Sequence, residues 1–493
     1  MRRNIRFSGT DLDFVNIAHS HLIHSQWENL HPLSTSLTPF RVKHILLKLK
    51  NDDVLSLEFF NWVHNCNPSS HTLQTHSILL HTLANNRKFK TAHSILRRII
   101  NVNVASSSNT LFDALLCSYR LCDSSPLVFD AVFKTYANLN KLRDATHTFL
   151  RMKEYGFLPT LESCNAFLSS LLQLRRAEVA LAFYREMRRD CISPNVYTLN
   201  MVICAYCKSG DLPRALETLE KMKDMGLSPT VVSFNALISG YCNKGLLGLA
   251  LKMKSLMGNY RVSPNVVTFN TLINGFCKEG KLHEAYRVFS EMKVANVAPN
   301  TVTYNTLING YSQIGNCETG MRLFEEMGRN QVKPDILTYN ALILGLCKDG
   351  KTKKAANLVK ELDKDNLVPN ASTFSALITG QCVRNNSERA FQIYRSMTSI
   401  GYSPNESTFG MLISVFCKNE DFDGAVQVLR DMLDRSMTPD SGILSALYNG
   451  LSRCGRKRLA LELCSEMEAK RLLPEGFGQE KIAITSPENG TNN

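Results

Sequence analysis

A proline recurs every 35 residues through most of this chain, at Pro159, Pro194, Pro229, Pro264, Pro299, Pro334, Pro369, Pro404, Pro439 and Pro474. A fixed period over that distance points to a tandem array in which each unit packs mainly on its neighbours. Two further columns run in phase with the prolines. A small residue stands at Ala145, Ala180, Ala215, Ala250, Ala285, Gly320, Ala355, Ala390, Ala425 and Ala460. A soft apolar one stands at Met152, Met187, Met222, Met257, Met292, Met327, Leu362, Met397, Met432 and Met467. The register holds without insertion or deletion, so residues 126–475 form ten units of 35.

The unit from Val266 to Asn300 shows what each must be. Phe269, Leu272, Ile273 and Phe276 recur at the i, i+3, i+4, i+7 spacing of one helix face, and after Gly280 so do Leu282, Ala285, Val288, Phe289 and Met292. Each unit is therefore predicted to be two short amphipathic helices. Gly210, Gly245, Gly280, Gly315 and Gly350 stand where the first helix must stop, since glycine enters the left-handed region without a Cβ clash. The proline column is expected to end the second helix, because proline lacks an N–H and pushes the residue before it out of the helical region. The alanine column marks a close helix approach that a larger side chain would overpack, and methionine fills the irregular space between hairpins. One hairpin cannot bury both of its apolar faces, so hairpins stack; the expected fold is all-α, an α-solenoid with an extended concave surface.

The pattern V-T-[FY]-N-T-L-I-N-G-[FY]-C-K-x-G-K, followed by spaced Ala, Phe and Met and closed by Pro-Asn or Pro-Asp, resembles the pentatricopeptide repeat family in its plain class of 35-residue repeats. The resemblance covers residues 126–475. It implies a right-handed superhelix of helix-turn-helix repeats that binds single-stranded RNA sequence-specifically and acts in organelle RNA metabolism by occupying a site. The alternative is a protein-binding scaffold of tetratricopeptide type, but that family keeps a 34-residue period and a tryptophan signature this array lacks.

Charge agrees with a polyanionic partner: 57 Lys+Arg stand against 44 Asp+Glu, a net +13. Of the fifteen cysteines, Cys207, Cys242, Cys277, Cys347, Cys382 and Cys417 share one lattice position on the first helix, which reads as helix packing in a reducing compartment. Cys204 and Cys207 make a lone C-x-x-C inside a helix, without the second pair a zinc site needs. Residues Gly345 to Thr352 satisfy G-x-x-x-x-G-K-[ST], yet the same segment recurs as GFCKEGKL and GYCNKGLL at the turn between helices, whereas a phosphate-binding loop follows a strand. Some proteins of the family carry a C-terminal deaminase-like domain with an H-x-E and C-x-x-C signature; here eighteen residues follow the last repeat and none is expected. Only His147 and His283 lie in the array, so no catalytic set, metal site or cofactor is expected.

The fifth residue of each unit gives the column Asp130, Asn165, Asn200, Asn235, Asn270, Asn305, Asn340, Ser375, Gly410, Ser445. Asparagine competes with the backbone and is a poor choice in a helix interior. It is either a tolerated relic of repeat duplication or an amide held toward the concave groove to bond a base edge. The last residue gives Thr160, Asn195, Thr230, Asn265, Asn300, Asp335, Asn370, Asn405, Asp440 and Glu475, which as a column before helices also reads as N-caps. The resemblance assigns base choice to these two positions together. Carried over, Asn305/Asp335 prefers uracil, Asn165/Asn195, Asn235/Asn265, Asn270/Asn300 and Asn340/Asn370 pyrimidines, and Ser375/Asn405 adenine. Asn200/Thr230 fits a pyrimidine less well, Gly410/Asp440 points to guanine, and Asp130/Thr160 and Ser445/Glu475 are unreadable. The resemblance also makes the second residue, Tyr197, Val232, Val267, Val302 and Leu337, a packing surface for base faces, turning polar at Ser372 and Ser407. It places backbone phosphate at the thirteenth, Lys208, Lys278, Lys348 and Lys418, where a solvated turn lysine is the alternative. The expected ligand is a pyrimidine tract followed by A and then G, read 5′ to 3′ along the array.

Outside the repeats, residues 1–36 open with Arg2, Arg3 and Arg6 and are expected to be an organelle transit peptide without fixed structure, mitochondrial in preference to chloroplast, although Asp11 and Asp13 break the basic pattern. Residues 37–125 are expected to be a helical lead-in with degenerate repeats, and 476–493 a disordered tail. No run of some eighteen apolar residues forms a membrane span.

Overall fold

A computed structural model describes residues 9–101, 108–364 and 366–474. Among them are twenty-seven α-helices and two short 3-10 turns, and no strand. The chain divides into two compact units, Met1–Tyr241 and Cys242–Asn493, each a stack of helical hairpins.

The periodic pattern becomes one hairpin per repeat. Val266–Lys278 and Leu282–Val294 are followed by Thr301–Gln313 and Cys317–Arg329, then Ile336–Lys348 and Thr352–Lys364, and so on to Ser441–Arg453 and Lys457–Ala469. In the first unit, Leu127–Asn138 and Leu142–Glu154 begin the same series. The small and soft columns are buried: Ala285, Ala355 and Ala425 are closed to solvent, as are Met292, Met327 and Leu362. Cys207, Cys242, Cys277 and Cys347 each pack against a glycine 33 residues on. A Cβ added at Gly275 would lie 2.7 Å from Cys242 Sγ, and one at Gly380 2.6 Å from Cys347 Sγ. Burial pushes the thiols of Cys277 and Cys382 up to about 12, so they stay protonated and inert. Gly345 and Lys351 of the phosphate-loop match sit on a helix and in the turn after it.

The helix ends differ from expectation in one respect. Gly280, at φ 69°, closes the first helix, with its N–H on Cys277 O at 3.1 Å and Lys281 N–H on Phe276 O at 2.9 Å. That pair of bonds is the Schellman motif. The second helix ends by the same device rather than by proline. Asn296 takes φ 55°, and Asn296 N–H and Val297 N–H bond Lys293 O and Met292 O, each at 3.0 Å. Pro299 lies beyond this turn, in the connector that delivers Asn300 in the extended conformation (φ −113°, ψ 179°) it needs as the next N-cap.

The leader also departs from its expectation. Residues 9–36 carry the helices Gly9–Ile23 and Trp27–Leu30 and the 3-10 turn His31–Ser36. Val15, Ala18, Leu22 and Leu30 join the core of the first unit, and Arg41 bonds Asp11 at 2.8 Å. The acid that broke the basic pattern is thus a structural partner. Leu73–Asn85 and Phe89–Asn101 form a complete hairpin, and Ser108–Tyr119 a single helix, before the regular array. Arg2, Arg3, Arg6, Glu475 and the tail 476–493 lie outside the described residues.

Candidate functional site

In eight of the repeats the last residue caps the next first helix. Asn300 Oδ1 accepts the N–H of Thr303 at 3.1 Å while Thr303 Oγ1 accepts the N–H of Asn300 at 3.1 Å, a reciprocal capping box. Asn195, Asp335 and Asn370 do the same, and Asn265 caps Val266–Lys278. Thr160, Asn405 and Asp440 cap without the reciprocal bond.

The fifth residue reaches this cap from the first helix of its own repeat. Asn305 Nδ2 donates to Asp335 Oδ1 at 2.9 Å, Asn340 Nδ2 to Asn370 Oδ1 at 3.1 Å, Asn270 Nδ2 to Asn300 Oδ1 at 3.3 Å, and Asn200 Nδ2 to Thr230 Oγ1 at 3.5 Å. The two residues expected to select a base together are therefore in direct contact in these four repeats. Asn235 and Asn265 fall on opposite sides of the division between the units, Asn235 half-buried on Val231–Asn243.

A third group, which the sequence reading passed over, completes the arrangement. The hydroxyl of the third residue of the following repeat donates to the fifth residue's side-chain oxygen. Thr198 bonds Asn165 Oδ1 at 2.8 Å, Ser233 bonds Asn200 Oδ1 at 2.5 Å, and Thr303 bonds Asn270 Oδ1 at 2.7 Å. Thr338 bonds Asn305 Oδ1 at 2.5 Å, Thr373 bonds Asn340 Oδ1 at 2.6 Å, and Thr408 bonds Ser375 Oγ at 2.9 Å. Its trace in the sequence was the threonine before an aromatic residue at Thr268, Thr303, Thr338, Thr373 and Thr408. Asp335 titrates below the usual carboxylate range: burial alone would raise it, but the Thr338 N–H, the Asn305 amide and the Thr338 hydroxyl outweigh that cost.

Towards the ends of the array the arrangement changes. Asp130 is buried, with its carboxylate taken by Thr160 N–H at 2.8 Å, Thr160 Oγ1 at 3.0 Å and Ser163 Oγ at 2.8 Å. Burial raises its pKa against those donors. Gly410 has no side chain, and a Cβ there would meet Ile443 Cδ1 at 2.7 Å. Asp440 is turned to the N–H groups of Gly442 and Ile443, at 2.8 and 3.4 Å.

The second-residue column stands in solvent although apolar: Tyr197 is 55% exposed, Val232 61%, Val267 56%, Val302 57% and Leu337 61%. In the second unit Val302, Leu337, Asn305, Asn340 and Ser375 line one groove of about 940 Å³ together with Lys278. Gly410, Asp440, Ile443 and Lys418 line a hollow of about 680 Å³. The four thirteenth-position lysines are not equivalent. Lys208, Lys278 and Lys418 are exposed and Lys348 half-buried; of these, Lys208 bonds Leu172 O at 3.0 Å and Lys348 bonds Gln313 Oε1 at 2.8 Å.

An all-α stack of 35-residue hairpins, with one polar ladder and one exposed apolar column repeated along it, defines a helical-repeat protein. Sequence profiles described as the PPR repeat family match residues 194–243, 229–278, 264–313, 299–348 and 334–383. PPR repeat profiles also match 400–433, and 162–192 and 372–402. Together these cover more than half of the chain, and it belongs to the pentatricopeptide repeat family. It is 60% identical over 197 residues to a mitochondrial pentatricopeptide repeat-containing protein of Arabidopsis thaliana, an alignment covering 40% of this chain and 38% of the relative. A second mitochondrial relative from Arabidopsis is 29% identical over 195 residues, 39% of this chain and 30% of the relative. The matched segments thus span less than half of either relative. Among solved structures, the maize pentatricopeptide repeat protein PPR10 aligns over 91% of this chain and 76% of its own, at 19% identity and a TM-score of 0.43. PPR10 in complex with an 18-nt psaJ RNA element aligns over 92% and 68%, with a TM-score of 0.37.

Proposed function

We propose that this chain is a sequence-specific single-stranded RNA-binding protein acting in organelle RNA metabolism, in the mitochondrion in preference to the chloroplast. Membership of the family supports the ligand class, and the mitochondrial names of its relatives support the compartment. The observation that carries the reading is the paired polar ladder beside the exposed apolar column. Amides offering both donor and acceptor stand next to side chains that a base can cover. After its bonds within the ladder, an amide such as Asn305 retains one N–H and one carbonyl lone pair for a base edge. The mechanism is occupancy: a bound strand is shielded or held open, and no bond is made or broken by the protein.

Asn305/Asp335 is assigned to uracil, Asn165/Asn195, Asn235/Asn265, Asn270/Asn300 and Asn340/Asn370 to pyrimidines, and Ser375/Asn405 to adenine. Selection of the chain against randomised RNA at physiological salt tests the whole assignment. A pyrimidine tract followed by A is the expected consensus. Binding that ignores sequence, or is absent, would instead favour a protein-binding scaffold. Asn305→Thr should move the preference at its own position from uracil toward guanine and leave the others unchanged.

A further inference from the structure

We infer that the third residue, in the repeats where it is threonine or serine, is a positioning residue for base selection, because its hydroxyl fixes which way round the reading amide of the preceding repeat is held. The inference rests on the RNA-binding reading above and adds to it a residue outside the two that the family resemblance pairs.

An asparagine amide turned through half a circle exchanges donor for acceptor, and with them the base edge it matches. At Asn305 neither end is free to exchange. The Thr338 oxygen accepts the N–H of Asp335 at 3.1 Å, and its single proton has two acceptors in reach, Asn305 Oδ1 at 2.5 Å and Asp335 Oδ1 at 3.0 Å, of which the amide oxygen is the nearer. Nδ2 is held by Asp335 Oδ1 at 2.9 Å. Asn340 repeats the geometry with Thr373 and Asn370, and Asn270 with Thr303 and Asn300. The threonines Thr303, Thr338 and Thr373 are closed to solvent, so water does not replace the bond when it is lost.

The one hydroxyl-free pair in the second unit's ladder among the described residues makes the same point from the other side. Where the third residue is Ile443, the fifth residue of the preceding repeat is Gly410, and any Cβ there would meet the isoleucine at 2.7 Å. The polar partners are absent together. Ser375 under Thr408 is an intermediate case: its oxygen accepts at 2.9 Å, which leaves its own proton for the groove.

The test compares Thr338→Val, which keeps the shape and removes the hydroxyl, with Thr338→Ser, which keeps the hydroxyl as Ser233 does. Each is titrated against four RNAs that differ only at the nucleotide facing residues 301–335. In Thr338→Val the preference for the favoured nucleotide should fall roughly three- to tenfold, with the other positions unaltered. Thr338→Ser should keep it. Unchanged discrimination in a folded Thr338→Val chain would overturn the inference, and so would an equal loss for all four RNAs, which marks a structural role alone. If Thr338→Val does not fold, Thr338→Ala takes its place under the same criteria. A wild-type chain without nucleotide preference would sink the RNA reading instead. The positioning would then be decided by a structure of the RNA-free variant, and an Asn305 amide held in the same orientation without the hydroxyl would refute it.

Discussion

Asn300 holds two roles in one side chain. Its Oδ1 caps Thr301–Gln313 through the Thr303 N–H and also receives Asn270 Nδ2. The roles separate by substitution. Aspartate keeps the acceptor and suits the positive end of a helix, so Asn300→Asp should leave urea-unfolding stability within about 0.5 kcal/mol. In RNA titrations the same variant should shift preference at its position toward uracil, the choice assigned to Asn305/Asp335. Asn300→Ala should lose about 1 kcal/mol with the cap and its base preference as well. A different residue-scale effect sits at His81, which is closed to solvent, with Nε2 donating to Leu115 O at 2.9 Å and Nδ1 accepting from Ser124 Oγ at 2.8 Å. Burial holds its pKa down to about 4, against 6.5 for the free side chain. Between those values the unfolded chain binds more protons than the folded one, so stability is full above about 6.5 and falls as pH drops toward 4. The loss is on the order of 3 kcal/mol. Denaturant melts across that range should show it, and His81→Gln should reduce the dependence without abolishing it, because burial also holds His71 down to about 4.

At the scale of the element, the repeat itself was fully legible, because a helix face and a 35-residue period leave their mark in residue type. Helix termination was half legible. Where the left-handed residue is glycine, as at Gly280 and Gly350, composition shows it; at Asn296, Gln331 and Arg261 the same conformation is carried by residues with a Cβ (φ 55°, 56° and 56°). Proline, periodic and conspicuous, took the credit for a turn that precedes it. The polar ladder was legible in two of its three members, since the third-residue hydroxyl meets its partner only when repeats stack. The leader helices have no repeat register, and only their packing revealed them. Gln331→Gly should therefore raise stability by up to about 1 kcal/mol, read as a higher urea midpoint. Gly380→Ala should lower it by about 1–3 kcal/mol, because its Cβ would stand 2.6 Å from Cys347 Sγ and 2.7 Å from Cys347 Cβ. Equal midpoints for the glycine and alanine chains would mean the two helices separate at little cost.

For the whole molecule, net charge is a poor guide to where RNA would be held. Many cations on or beside the second helices are spent on neighbouring repeats: Lys293 bonds Glu326 at 2.5 Å, Lys153 bonds Asp190 at 2.7 Å and Arg456, just before its helix, bonds Asp423 at 2.6 Å. Such exposed pairs add little stability, but they remove charge from the field a polyanion meets. The groove lysines then divide by what already holds them. Lys278 is exposed on the groove wall, whereas Lys348 must leave Gln313 Oε1 before it can meet a phosphate. A phosphate contact releases counterions whatever the base, so Lys278→Ala should weaken binding to every RNA alike and reduce the slope of log affinity against log salt by about one. Lys348→Ala should lower the slope less. Asn305→Thr should leave the slope unchanged while altering which RNA is bound. Affinities measured between about 50 and 200 mM salt separate the three outcomes. A slope indifferent to Lys278 would remove it from the phosphate path and leave the base ladder to account for affinity and specificity alike.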